Sequence, residues 1–293
     1  MNYIEDFIKY LKVIKKDSDY TLINYKNDIE ELYDFHTDLI KIDEVIVREY
    51  LEYLYSKGLN RNSISRKLSS IRSFYNYLLK ENIISTNYFK EISNPKKNQS
   101  LPKYAKDNDL EKMFNSFNKE KPLDQRNLLI LEMLYATGIR VSELVNIKTN
   151  DIDKYNNSIK ILGKGSKERI VFYGSFCEDI LELYLKEGRK KILKNKTNEY
   201  LFINKNGDKL SDRYIRKMID NTVTKCSIDY HISPHTLRHT FATDMLNAGA
   251  DLISVKELLG HSSLNTTSIY THVSNEQIKK IYDFAHPRAK NKE

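Results

Sequence analysis

The chain has 293 residues, 40% hydrophobic and 30% charged, with a formal net charge of +8 and a pI near 9.1. That balance excludes a disordered chain, and the length accommodates two domains of ordinary size. No apolar run approaches the roughly 20 residues a membrane-spanning helix needs, and Cys177 and Cys226 are too few for a disulfide framework or a cysteine-built zinc site.

The N-terminus, MNYIEDFIKYLKVIKKDSDY, carries Glu5 and Asp6 early and has no pure apolar core. It reads as an amphipathic helix and not as a signal peptide, so the expected location is cytoplasmic. The positive charge favours a polyanionic partner, and it is unevenly placed. Residues 1–100 hold 16 Lys and Arg against 15 Asp and Glu, so most of the excess lies beyond them. Within this first part, residues 28–52 are mostly acidic, whereas 61–80 hold Arg61, Arg66, Lys67, Arg72 and Lys80 and no acid.

Apolar spacing predicts helices over about 3–15, 20–39, 43–57 and 61–80, a small four-helix bundle. In the last of these, Ile64, Leu68, Ile71, Tyr75 and Leu78 share one face. Asn62, Arg66, Ser69, Ser73, Asn76 and Lys80 share the other. Small polar and basic residues on an acid-free face suit a helix lying in a DNA groove, or a merely solvated face. The stretch SNPKKNQSLPKYAKDND, with two prolines and four lysines, is the linker candidate. The expected domains are therefore 1–92, a basic linker 93–106, and 107–293.

The second part is mixed. Helices are expected over 109–118 and 123–137, with Gly138 as a C-cap and a short helix restarting near Ser142. SIKILGKGSKERIVFY is the strong β signal, two strands around a glycine-containing turn, and YLFI (200–203) is a candidate third strand. Further helices are expected over 176–188, 211–226, 235–248, 251–259 and 275–284. The class is mainly α with a small antiparallel sheet.

Residues 234–240, PHTLRHT, raise the question of chemistry. His235 and His239, four apart, could ligate a metal on a helix; His235 and Arg238 could grip a phosphate. The hydrolytic metal motif carries Glu after its first His, where Thr236 stands here, and the adjacent Arg238 would repel a dication. A structural role for His235 as a helix N-terminal cap is the third reading. Elsewhere, ATGIRVSEL places Arg140 after a glycine-broken helix end, GKGSKER puts Lys164 between two glycines, and LLGHSS is followed nine residues on by Tyr270.

In order and spacing, ATGIRVSEL, GKGSKER, HTLRHTFAT, LLGHSSLNTTSIYTHV and the tail HPRA resemble the tyrosine recombinase (integrase) family, and most closely its Xer branch. LSSIRSFYNYLLKENIISTN resembles the end of that family's helical core-binding domain, so the resemblance runs over the whole chain. It implies an N-terminal four-helix, SAM-like core-binding domain and a C-terminal catalytic domain that cuts and rejoins duplex DNA through a 3′-phosphotyrosyl intermediate. It further implies that Arg140 and Arg238 clamp one DNA phosphate, Lys164 protonates the leaving 5′-oxygen, His235 and His261 assist, and Tyr270 is the nucleophile. Glu143 would orient the pocket. No metal and no other cofactor is implied. The implied partners are double-stranded DNA, copies of this chain or a paralogous recombinase in a tetramer on two DNA sites, and a DNA translocase.

The resemblance implies chromosome-dimer resolution as the task. Integration of a mobile element, a monomeric type IB topoisomerase, and a DNA-binding protein without cleavage activity are the alternatives. Two domains without an additional N-terminal arm-binding module favour the Xer branch. Tyr230 and Tyr282 are expected to pack, and His239 and His272 to be structural. Lys167 and Arg169 are expected to contact DNA backbone or stay solvated, outside the catalytic set. The tail helix is expected to pack on a neighbouring protomer. After the linker, where the family's helix cap falls, Asp107 or Asn108 is the candidate cap.

Overall fold

The computed structural model describes residues 3–17, 19–92, 104–163, 168–260 and 275–289. The chain divides into two compact units, Met1–Ser100 and Leu101–Glu293.

The first unit contains α1 (Tyr3–Tyr10), continued by a π-helical turn over Leu11–Lys15, then α2 (Asp19–Phe35), α3 (Glu44–Ser56) and α4 (Arg61–Lys80). Asp43 and Asn60 start α3 and α4, their side chains accepting from first-turn N–H groups. The apolar face of α4 is buried at Ile64, Leu68, Ile71, Tyr75 and Leu78, as its 3.6-residue periodicity requires. Phe74 meets Phe7 of α1 edge-to-face at 5.4 Å.

The opposite signs of 28–52 and 61–80 are a packing device. Asp28 on α2 is 1% exposed and accepts from Arg66, Lys67 and the Ser70 hydroxyl, while Lys67 also pairs with Glu31. Burial works against an ionised Asp28, yet hydrogen bonds from Arg66, Ser70 and Lys67 hold its carboxyl below the usual range. Arg72 donates to the carbonyls of Phe89 and Ile92. On the helix expected to face a DNA groove, Arg66, Lys67 and Arg72 are thus engaged within the domain, and Lys80 lies over the Tyr10 ring at 5.0 Å.

The second unit is built around α6 (Pro122–Thr137), buried from Gln125 to Thr137. A helix covered on every side carries no amphipathic stripe, and its two buried charges have dedicated partners. Arg126 donates to the Ile203 carbonyl at 2.7 Å and Glu132 pairs with Arg288. Before it comes α5 (Asp107–Asn115) and after it α7 (Val141–Leu144). Three antiparallel strands follow in the order β1 (Ile152–Asp153), β2 (Ser158–Leu162) and β3 (Glu168–Phe172), with Ile159 opposite Val171 and Ile161 opposite Arg169. Next are α8 (Ser175–Leu183), a π-helical turn over Tyr184–Gly188, α9 (Arg189–Leu193), α10 (Asp212–Lys225), α11 (Pro234–Asn247), α12 (Leu252–Leu259) and α13 (Asn275–Ala285).

Two expectations are corrected. The third strand is Ile152–Asp153 and not 200–203, where Tyr200 and Ile203 form only isolated bridges, to Lys148 and Lys209, while Leu201, Phe202 and Ile203 are all buried in the core. Neither Asp107 nor Asn108 caps α5, which begins at Asp107 with Lys106 before it. The Lys106 N–H instead donates to the Tyr230 hydroxyl, which in turn donates to Asp109. In the single chain, α13 lies on its own domain. Ile278, Tyr282 and Ala285 are buried beside Phe172, Phe241 and Leu258, and Arg288 lies over the rings of Phe114 and Phe176 at 4.1 and 4.4 Å. His286, stacked on Tyr282 at 5.1 Å, is pushed down to about 3 by burial and is neutral.

Gly138 ends α6 in the left-handed region at φ +60°, and a Cβ there would stand 2.5 Å from a ring carbon of Phe241 and 2.9 Å from a Leu259 methyl. The positive φ and the overpacking each carry a cost of order 1–2 kcal/mol. Gly138→Ala is therefore expected to lower stability by about 2–4 kcal/mol, read as a reduced denaturant midpoint at unchanged m-value.

Candidate active site

Helix α11 starts at Ser233, whose hydroxyl accepts from the Thr236 N–H at 3.2 Å, with Pro234 in the first turn. The cap is thus Ser233, and the capping reading of His235 falls. His235 is exposed on the first turn, where helix N–H groups and the macrodipole favour an anion. His239, one turn on, is half-buried.

Arg238, three residues after His235, is buried in the domain at 7% exposed. Its Nη1 donates to the Gly138 carbonyl and its Nη2 to the Leu259 carbonyl, both at 2.6 Å. One guanidinium therefore joins the C-terminal ends of α6 and α12, where helix carbonyls lack intrahelical donors and the dipole favours a cation. Burial first, then repulsion from Arg140 and Arg169, brings Arg238 down to about 10, so it remains charged at neutral pH.

Arg140 precedes α7, and Glu143 lies three residues on. The Arg140 N–H donates to Glu143 Oε2 at 2.8 Å and its Nη1 to Oε1 at 2.9 Å. Arg169 closes the group from β3, its Nη1 reaching Oε1 at 3.0 Å and its Nη2 reaching Oε2 at 2.9 Å, a forked pair. Burial would raise the Glu143 carboxyl, but Arg169 and Arg140 outweigh it and hold it below the usual carboxylate range. Two guanidiniums bond one carboxylate, and a third, Arg238, lies within electrostatic range of all three groups. The excess of positive charge in a partly desolvated pocket suits a phosphate group.

Thus Arg140, Glu143 and Arg238 are brought together and His235 is placed at an exposed helix start. Lys164, His261 and Tyr270, with Lys167 and His272, lie outside the described residues. Tyr230 is occupied by its hydrogen bonds and Tyr282 by packing on His286. Arg169 is the residue the sequence reading set aside: its side chain is 14% exposed and neither solvated nor free to follow a DNA backbone. Strand parity carried the missed signal. Arg169 lies two residues before buried Val171 and opposite buried Ile161, an inward position that an arginine occupies only when paired.

Removing the Glu143 charge leaves three cations facing one another. Glu143→Gln is expected to lower stability by about 3 kcal/mol in denaturant unfolding near pH 7. The folded carboxyl titrates below its unfolded value. Its contribution is therefore complete above the ordinary glutamate range and fades as pH falls through the depressed folded value. Glu143→Gln should flatten that acid-side loss, while a parallel decline in both proteins would assign it to other groups.

Comparison with known proteins follows the same division of the chain. Residues 103–277 match the phage integrase family, and residues 4–82 match the phage integrase N-terminal SAM-like domain. Tyrosine recombinase XerC of Staphylococcus saprophyticus is 44% identical over 288 residues, covering 97% of this chain and 97% of the relative. Tyrosine recombinase XerC of Oceanobacillus iheyensis is 44% identical over 294 residues, covering 98% and 96%. Among solved structures, the XerH site-specific recombinase bound to its difH substrate before cleavage is 27% identical with a TM-score of 0.69, over 94% of this chain and 82% of that one. With both domains matched and near-full-length relatives at this identity, the chain belongs to the phage integrase family and is a site-specific tyrosine recombinase, an enzyme that cuts and rejoins DNA.

Proposed function

We propose that this protein resolves chromosome dimers by strand exchange at a specific duplex site, with Arg140, Lys164, His235, Arg238, His261 and Tyr270 as its reacting groups. What carries this reading is the approach of Arg238 to Arg140, from segments far apart in sequence, in a group with excess positive charge: Arg140 bonds Glu143 and Arg238 the Gly138 carbonyl. The near-full-length likeness to the two XerC relatives supports it.

A phosphodiester resists nucleophiles because it is negative. Two guanidiniums neutralise that charge and follow it into the transition state, a geometry lysines would not reproduce. A tyrosine hydroxyl has a reference pKa of about 10, and nearby cations lower it toward the attacking phenolate. In this reading the Tyr270 oxygen bonds to phosphorus, the bond to the 5′-oxygen breaks, and Lys164 delivers a proton to that oxygen. His235 and His261 hydrogen-bond the phosphate or relay protons, and Glu143 holds Arg140. The phosphotyrosyl ester conserves the bond energy, so the reverse attack by a 5′-hydroxyl reseals a strand without ATP.

Residues 1–92 would bind DNA and 107–293 carry the chemistry, joined through 93–106. The assembly would be a tetramer on two sites, of this chain alone or with a paralogue, working in the cytoplasm under a DNA translocase. Exchange of the tail helix between protomers requires α13 to leave the apolar seat it occupies on its own domain.

With a nicked suicide duplex bearing the site this protein selects from a random-sequence library, the wild-type chain should form a covalent protein–DNA adduct. Tyr270→Phe should bind the duplex and form none, and an undiminished adduct would remove Tyr270 as nucleophile. EDTA should leave the adduct yield unchanged, because the charge work falls to arginine and histidine; loss of the adduct would restore the metal reading of PHTLRHT.

Mapping the bound sites on the chromosome separates the two tasks. Occupancy of one site near the replication terminus is expected, whereas occupancy at the ends of a mobile element would favour an integrase.

A further inference from the structure

Arg169 is the buried charged group of the pocket to which none of the proposed chemical steps gives a role. It is positioned from three directions. The pairing of β3 with β2 sets it opposite buried Ile161. Its Nε donates to the Leu258 carbonyl at 3.1 Å. Its guanidinium also lies against the backbone of Gly260: a Cβ on that glycine would stand 2.9 Å from Nε and 3.0 Å from Cδ and Cζ. Gly260 also caps α12 at φ +66°, so glycine there satisfies both a left-handed backbone and the approach of the arginine.

The two cations that share Glu143 are not equivalent. Arg169 takes both carboxylate oxygens in a forked pair and is 14% exposed, whereas the Arg140 guanidinium reaches only Oε1 and is 41% exposed. Arg169 is the inner counter-ion and Arg140 the outer one. Were the inner partner absent, a buried carboxylate would draw Arg140 inward to neutralise itself, because an uncompensated buried charge is costly. That would withdraw from the pocket mouth the guanidinium proposed to meet the phosphate.

We propose that Arg169 is a positioning residue for strand cleavage: by neutralising Glu143 from the inside and bracing the end of α12, it keeps Arg140 presented outward to the scissile phosphate. The inference rests on the recombinase reading above. It assigns Arg169 no contact with DNA, so its signature is a loss of cleavage rate at saturating DNA with little change in affinity.

The test is a double-mutant cycle on the full-length chain, using the nicked duplex bearing the library-selected site. Single-turnover adduct formation is followed at saturating DNA, with Kd measured at one fixed salt concentration. Arg169→Gln is expected to slow cleavage on the order of 10–100-fold, the range for groups that orient a reacting ligand, with Kd within about 3-fold of wild type. In the Glu143→Gln background no carboxylate charge draws Arg140 inward, so adding Arg169→Gln should cost less than about 3-fold more.

Wild-type cleavage by Arg169→Gln, a loss confined to Kd, or full multiplication of the two effects in the double variant would each overturn the proposal. If Arg169→Gln shows no cooperative unfolding transition, Arg169→Lys takes its place, since it keeps the stem over Gly260 and the charge but cannot span both oxygens. It is expected to cleave roughly ten-fold slower, with the loss suppressed by Glu143→Gln, and an unchanged rate overturns the proposal equally. Absence of any adduct from the wild-type chain would instead sink the recombinase reading itself.

Discussion

A partly buried pocket cannot hold three guanidiniums against their mutual repulsion unless each has oxygens to donate to. Here the carboxylate of Glu143 and the carbonyls of Gly138, Leu258 and Leu259 supply them. Those carbonyls belong to the C-terminal ends of α6 and α12, which would otherwise need water or other donors. The interactions that assemble the cationic site are therefore also those that join the ends of two helices and one strand. Charge clustering, ordinarily destabilising, is made compatible with folding by aiming each cation at a helix terminus or the one carboxylate.

The same economy governs the rest of the catalytic unit. The central α6 is buried on every face from Gln125 to Thr137, and its two buried charges are matched, Arg126 by a carbonyl and Glu132 by the arginine of the tail. The tail thereby closes over the core and supplies the partner of a buried acid. In the N-terminal unit, Asp28 plays the corresponding part: one buried carboxylate satisfies Arg66, Lys67 and Ser70 and fixes α4 against α2. A segregation of charge that looks like a DNA-binding surface along the chain is, for these residues, an internal ion-pair network.

Much of the helical content was legible because periodic apolar spacing and glycine C-caps are local signals. α4 falls where its pattern places it, and Gly138 and Gly260 end their helices as expected. The segment 200–203 was not legible, since a short buried apolar run does not distinguish a strand from an irregular core segment. The start of α5 depended on Tyr230, remote in sequence, which replaces a local side-chain cap.

Residue types and order alone determined the family resemblance, the candidate set of Arg140, Lys164, His235, Arg238, His261 and Tyr270, and the supporting Glu143, because motif spacing is written linearly in the chain. The tertiary structure decided which charges meet. Arg238 turns inward to two helix ends, His235 stays outside, Ser233 takes the cap, and Arg169 becomes the inner partner of Glu143. The physical reason is that burial and Coulomb interactions depend on distances in space. The pairing of Arg169 with Ile161 across a hairpin, and its seat on Gly260 at a helix end, follow only once the chain has folded.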